Sequence, residues 1–121
     1  MKKPVNRSRP RLGNTLDELR KFPEEVRDEM GYALYLAQIG DKHPTTKPLK
    51  GFGSAGVLEI VDNYDGDTYR TVYTVKLAGV VYVLHTFQKK SKKGIATPKK
   101  DIDLIKKRLK LAIEIDREDK Q

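Results

Sequence analysis

Cysteine and tryptophan are missing from this 121-residue chain, and histidine and methionine occur twice each. Without cysteine there is no disulfide, no thiolate nucleophile and no cysteine-ligated zinc. The two histidines, His43 and His85, stand far apart in the sequence. A histidine-built metal centre is therefore not expected, only a carboxylate-bound magnesium stays open, and no cofactor is implied. Long apolar runs are missing too, since none approaches the roughly 18 residues that a membrane span requires. The opening MKKPVNRSRPR is charged, but no apolar stretch of a signal peptide follows it. The expectation is a cytoplasmic protein without a membrane partner. Aromatic residues make up 7% of the chain and charged residues 35%, which predicts a soluble globular domain with a small core. This length supports one core and no separate regulatory module.

Positive charge is abundant, and it is concentrated. The net charge is +8, and the stretch from Gln88 to Lys110 alone holds ten Lys or Arg against Asp101 and Asp103. The first fourteen residues add five more bases, whereas the intervening Thr15 to Phe87 is net acidic. A local basic patch is the footprint expected for a polyanion, because each neutralised phosphate releases condensed counterions.

Element signals divide the chain into a basic arm or short edge strand at 1–14, one domain at 15–115 and a polar tail at 116–121. Thr15 with Glu18 fits a capping box before a turn of helix from Leu16 to Lys21. Pro23 is a good first-turn residue, and Glu24 and Glu25 suit the positive end of a helix dipole. Val26, Met30, Ala33, Leu34 and Ala37 then recur at three- and four-residue spacing until Gly40. After the Gly-rich loop Gly51 to Gly56, three β-branched and aromatic runs follow: VLEIVDNY, TYRTVYTVKL and VVYVLHTF. Asp65-Gly66-Asp67 and Ala78-Gly79 are connections short enough to require antiparallel hairpins, hence a meander. Apolar residues of both parities in the last run predict a central strand buried on both faces. Thr97-Pro98 opens a last helix with Ile102, Ile105, Leu109, Ala112 and Ile113 on one face. The expected fold is α+β: a helical hairpin packed on a small antiparallel sheet, closed by a C-terminal helix.

Three blocks in this order, FPEEVRDEMGYALYLAQIG, KPLKGFGSAGVLEIVDNYDGDTYRTVYTV and VYVLHTFQKKSKKGIATPKKDIDLIKKRL, resemble the RelE/ParE toxin superfamily, in its HigB-type branch of phage-derived proteins. The resemblance covers about Leu16 to Leu109. It implies the toxin of a type II toxin–antitoxin pair, an endoribonuclease that cleaves mRNA on the ribosome and is neutralised by a helix-turn-helix (HigA-type) antitoxin. Non-catalytic binding to RNA or the ribosome, and the gyrase inhibition of ParE-like relatives, are the alternative functions. The sequence departs from the pattern at its start. Where relatives carry an apolar, Trp-containing first strand, this chain has Val5 to Leu12 with Arg7, Arg9 and Arg11, which leaves at most a short polar edge strand near Val5.

Metal-free RNA cleavage through the 2′-hydroxyl needs a base, a proton donor to the leaving oxygen and cations around the phosphate. A histidine pair is not available for this. The resemblance implies chemistry carried by Lys, Arg and in some members Tyr. Arg70 is the first choice for a phosphate contact because its planar fork holds two oxygens; the alternative is a surface strand arginine paired with Glu59, which would orient it. Lys89 and Lys90, at the exit of the last strand, are candidates to bind the scissile phosphate or act as base. Lys47, Lys50, Lys92, Lys93 and Arg108 are candidate RNA contacts. His85 is either a hydrogen-bonded core histidine or a base. Tyr73 is either a packing residue or a base-stacking partner. Division of roles among these groups stays open.

Overall fold

Secondary structure in the computed structural model is described for residues 15–53, 56–77, 80–89 and 97–119. At its centre is the hairpin of β2 (Val57–Tyr64) and β3 (Asp67–Leu77), joined by a two-residue turn at Asp65 and Gly66. Both turn residues have positive φ, 52° and 84°, the mirror-image turn whose twist matches that of the flanking strands. An aspartate tolerates this region and a glycine takes it freely, so the DG pair sets the register from Tyr64↔Asp67 to Val57↔Thr74.

β4 (Val80–Lys89) pairs with the other edge of β3, and a short strand β1 (Thr46–Pro48) pairs with β2, giving the antiparallel order β1-β2-β3-β4. The sequence pattern shows three strand runs, and Thr46–Pro48 is a fourth strand outside them. Three residues ending in proline carry almost no strand signal, and the proline is tolerated because the strand lies at the edge. Among the described residues β4 is the opposite edge, not the central strand that its pattern suggested. Its two-faced burial is nevertheless present: Val81 and Val83 pack toward one layer of helix, Tyr82 and Leu84 toward another. Helices on both sides, rather than strands on both edges, bury it.

The first helical layer consists of α1 (Thr15–Arg20) and α2 (Glu24–Gln38). Thr15 is the first helical residue and is buried, so it does not stand ahead of the helix as a cap. Pro23 is one position outside α2, where its carbonyl accepts the Arg27 N–H at 2.9 Å. The apolar stripe of α2 seats Val26, Met30, Ala33, Leu34 and Ala37 on Ile60, Tyr69, Tyr73, Val81 and Val83. Phe22 in the connection meets Tyr69 edge-on at 4.8 Å.

Across the sheet, α3 (Lys99–Asp119) applies Ile105 and Ala112, flanked by Ile102, Leu109 and Ile115, to Val57, Val72, Tyr82 and Leu84. Ile113 is exposed; Ile115 takes the place expected for it, since the angular drift of 3.6 residues per turn carries the stripe from Ala112 to Ile115. The helix continues to Asp119 and buries Asp116, so 116–119 is helical rather than tail. The architecture is thus α+β, with two short N-terminal helices, a four-stranded antiparallel sheet and a C-terminal helix. The arm at 1–14, the proposed strand at Val5 and the turn at Ala78-Gly79 lie outside the described residues.

Candidate functional site

Strand alternation assigns the polar residues of the sheet to sides. Leu58 and Ile60 pack under α2, so Glu59 between them addresses the α3 side, and Arg70 does so between Tyr69 and Thr71. Arg70 Nη1 donates to Glu59 Oε1 at 2.6 Å, and the two side chains are only 7% and 6% exposed. The pairing with Glu59 that stood as the alternative to a phosphate contact is present, and it is buried rather than at the surface. The neighbours of Arg70 explain this: Val72 and Phe87 flank it, and α3 lies over the same face. Lys47, opposite Glu59 in the β1–β2 register, brings Nζ within 4.0 Å of the other carboxylate oxygen while staying mostly exposed. Lys47, Glu59, Val72 and His85 stand in register across the four strands.

His85 owes its place to a bulge. The ladder runs Val72↔His85 and then Tyr73↔Val83, which leaves Leu84 with no residue opposite it. Leu84 and His85 consequently both address α3, against the two-residue alternation. Arg108 Nη1 from α3 donates to the Leu84 carbonyl at 2.9 Å, supplying a partner where the bulge interrupts the ladder. Partial burial lowers the Arg108 pKa below the ordinary arginine value. Arg108, a candidate RNA contact by sequence, has its guanidinium engaged with the strand, which it fastens.

His85 Nε2 donates to Asp101 Oδ1 at 2.8 Å, and its ring stacks on Phe87 with centroids 4.7 Å apart. The carboxylate can only accept, so this bond places the proton on Nε2 and leaves Nδ1 as the acceptor nitrogen of the neutral ring. Asp101 sits in the first turn of α3, where the helix dipole favours an acid. Nothing in the sequence pattern connects Asp101 to His85, and the reading from sequence missed it. One signal was available: Asp101 and Asp103 are the two acids of the basic block.

Tyr73 lies elsewhere. It is buried under α2, on the opposite face of the sheet from Arg70, and burial pushes its phenol above the ordinary tyrosine value. It does not join this group. Lys89 ends β4 with its backbone opposite Thr68, two residues beyond Phe87. Lys50 is exposed just past β1. Lys90, Lys92 and Lys93 lie outside the described residues.

His43 has a different setting, on the α2 side. Its Nε2 donates to Glu29 at 2.6 Å and its Nδ1 accepts from the Thr45 N–H at 3.1 Å, so both nitrogens are engaged. Among the described residues no group of three His, Asp or Glu has a metal-holding arrangement, and no helix is long and apolar enough to cross a membrane. A family model described as phage-derived protein Gp49-like (DUF891) matches residues 17–110. No curated protein and no solved structure matches the chain.

Proposed function

This chain belongs to the Gp49-like family of phage-derived proteins, a family of RelE-like, toxin-like type, and from that premise we propose that it is a toxin acting on mRNA at the ribosome. The observation that carries the reading is the gathering on one sheet face of Lys47, Glu59, Arg70 and His85, beside the strand end where the densest positive charge of the sequence begins. Lys89 and Lys90 neutralise the scissile phosphate as the 2′-hydroxyl attacks it and the bond to the 5′-oxygen breaks, one of the two ammonium groups giving its proton to that leaving oxygen. His85, held by Asp101 through Nε2, presents Nδ1 as the proton-moving atom. The Arg70–Glu59 pair forms the floor of the site and fixes its charge pattern. Lys47, Lys50, Lys92 and Lys93 tether the RNA strand. A helix-turn-helix antitoxin is the proposed protein partner, and a small adjacent open reading frame encoding one would support the reading.

Burial of Arg70 favours a second reading, in which the protein inhibits translation by occupancy alone. An arginine already engaged by a carboxylate is not a free phosphate fork. Induction of the chain followed by mapping of 5′ ends separates the two readings. Cleavage within translated messages, lost in Lys89→Ala/Lys90→Ala and in His85→Ala with melting temperatures preserved, supports the nuclease. Growth arrest with intact messages overturns it in favour of occupancy, and no effect on growth or translation overturns both.

A further inference from the structure

The solvent side of α2 carries a feature that the Arg70 site does not use. At 3.6 residues per turn, Glu24, Glu25, Asp28, Tyr32, Tyr35 and Ile39 fall in one sector of about 100°, opposite the buried stripe. Tyr32, Tyr35 and Ile39 are 53%, 53% and 58% exposed. Single exposed apolar residues are ordinary, but three neighbours aligned along two turns make a continuous patch. Two of them are tyrosines, a residue type enriched among those that dominate interface energies. The N-terminal half of the same sector holds three carboxylates and no Lys or Arg, in a chain whose net charge is +8.

We propose that the outward face of α2 is a docking surface for a protein partner that presents a basic amphipathic helix. The partner sets apolar side chains on Tyr32, Tyr35 and Ile39 and Lys or Arg beside Glu24, Glu25 and Asp28. Helix is the matching shape, because α2 offers a convex ridged rod and no open backbone edge for strand addition. Charge decides against nucleic acid: the tyrosines can stack bases, but the carboxylates repel the phosphates that would come with them. Pairing of this sector with the same sector of a second copy brings no Lys or Arg, so the carboxylates would remain unmatched. The surface lies across the sheet from Arg70 and His85, and the proposal stands whether or not the chain cleaves RNA.

The test titrates isotope-labelled full-length protein with three synthetic peptides of about 18 residues, five helical turns each. One is a Leu/Lys amphipathic helix, the second carries Glu for Lys, and the third scrambles the first so that its apolar stripe is lost. Only the first is expected to bind, with amide shifts centred on Tyr32, Tyr35 and Ile39. Tyr32→Ser/Tyr35→Ser, at half-exposed positions, weakens that binding by about tenfold or more. Glu24→Lys/Glu25→Lys/Asp28→Lys transfers the preference to the Glu peptide. Equal binding of the scrambled peptide, shifts centred on α3, no binding at all, or sedimentation showing that the Tyr32–Ile39 stripe instead pairs two copies of the chain would each overturn the proposal.

Discussion

Arg70 and Glu59 are the charged pair on which the face toward α3 depends. Both are buried and joined at 2.6 Å, with Lys47 within 4.0 Å of Glu59. Removing one partner strands the other in a poorly solvated site, whereas removing both leaves apolar neighbours to close over the gap. Arg70→Met alone is expected to cost about 3–5 kcal/mol in chemical denaturation, and Arg70→Met/Glu59→Leu distinctly less. A double variant that loses as much as Arg70→Met and Glu59→Leu added together would show that the pair is not coupled. On the other side of the sheet, burial raises the Asp62 carboxyl above its ordinary value, with Glu29 adding to the rise and His43 opposing it. Such an acid holds more protons folded than unfolded, so stability falls as pH climbs from the ordinary carboxylate value through the raised one and stays lowered above it. Asp62→Asn should therefore raise the melting temperature at neutral pH and leave it unchanged near about pH 3, where the aspartate is protonated in both states.

At the level of elements, α3 does more than cover the sheet. Asp101 in its first turn holds His85, and Arg108 two turns later holds the Leu84 carbonyl. The helix thus grips both residues at the bulge. Arg108→Met keeps the aliphatic stem and removes the donor; the expected loss is about 1.5–3 kcal/mol, the range for a hydrogen bond to a charged group. Amide exchange at Val83 to Thr86 should accelerate more than exchange in β2. If exchange rises uniformly, the bond is not a local fastener. These contacts also show what periodicity can and cannot deliver. The stripe of α2 was legible because every fourth or third residue was apolar and each was buried. The bulge was not legible, since an inserted residue in a strand of Val, Tyr and Leu changes no composition and only the pairing partner reveals it.

The molecule as a whole separates its charges. In the sequence a basic run begins where β4 ends, and an acidic, tyrosine-bearing face lies on the outward side of α2. If the basic block meets single-stranded RNA, log K should fall linearly with log salt. Lys92→Ala/Lys93→Ala should then reduce the slope by about 1.4, or about 0.7 for each phosphate that is no longer neutralised. Tyr35→Ser should leave it unchanged. A slope that ignores the lysines would place the RNA elsewhere.

The amino-acid sequence by itself determined the α+β class, the DG hairpin, the α2 stripe and the local basic block, because turn chemistry, periodicity and charge density are short-range properties of neighbouring residues. Only the tertiary structure decided that Arg70 is buried against Glu59, that Arg108 points inward, that Tyr73 faces away from the site and that His85 has Asp101 for a partner. Each of these depends on which side of the sheet a residue occupies and what packs there. Strand order, one bulge and the placement of helices on both faces fix those relations, and they join residues from 11 to 24 positions apart.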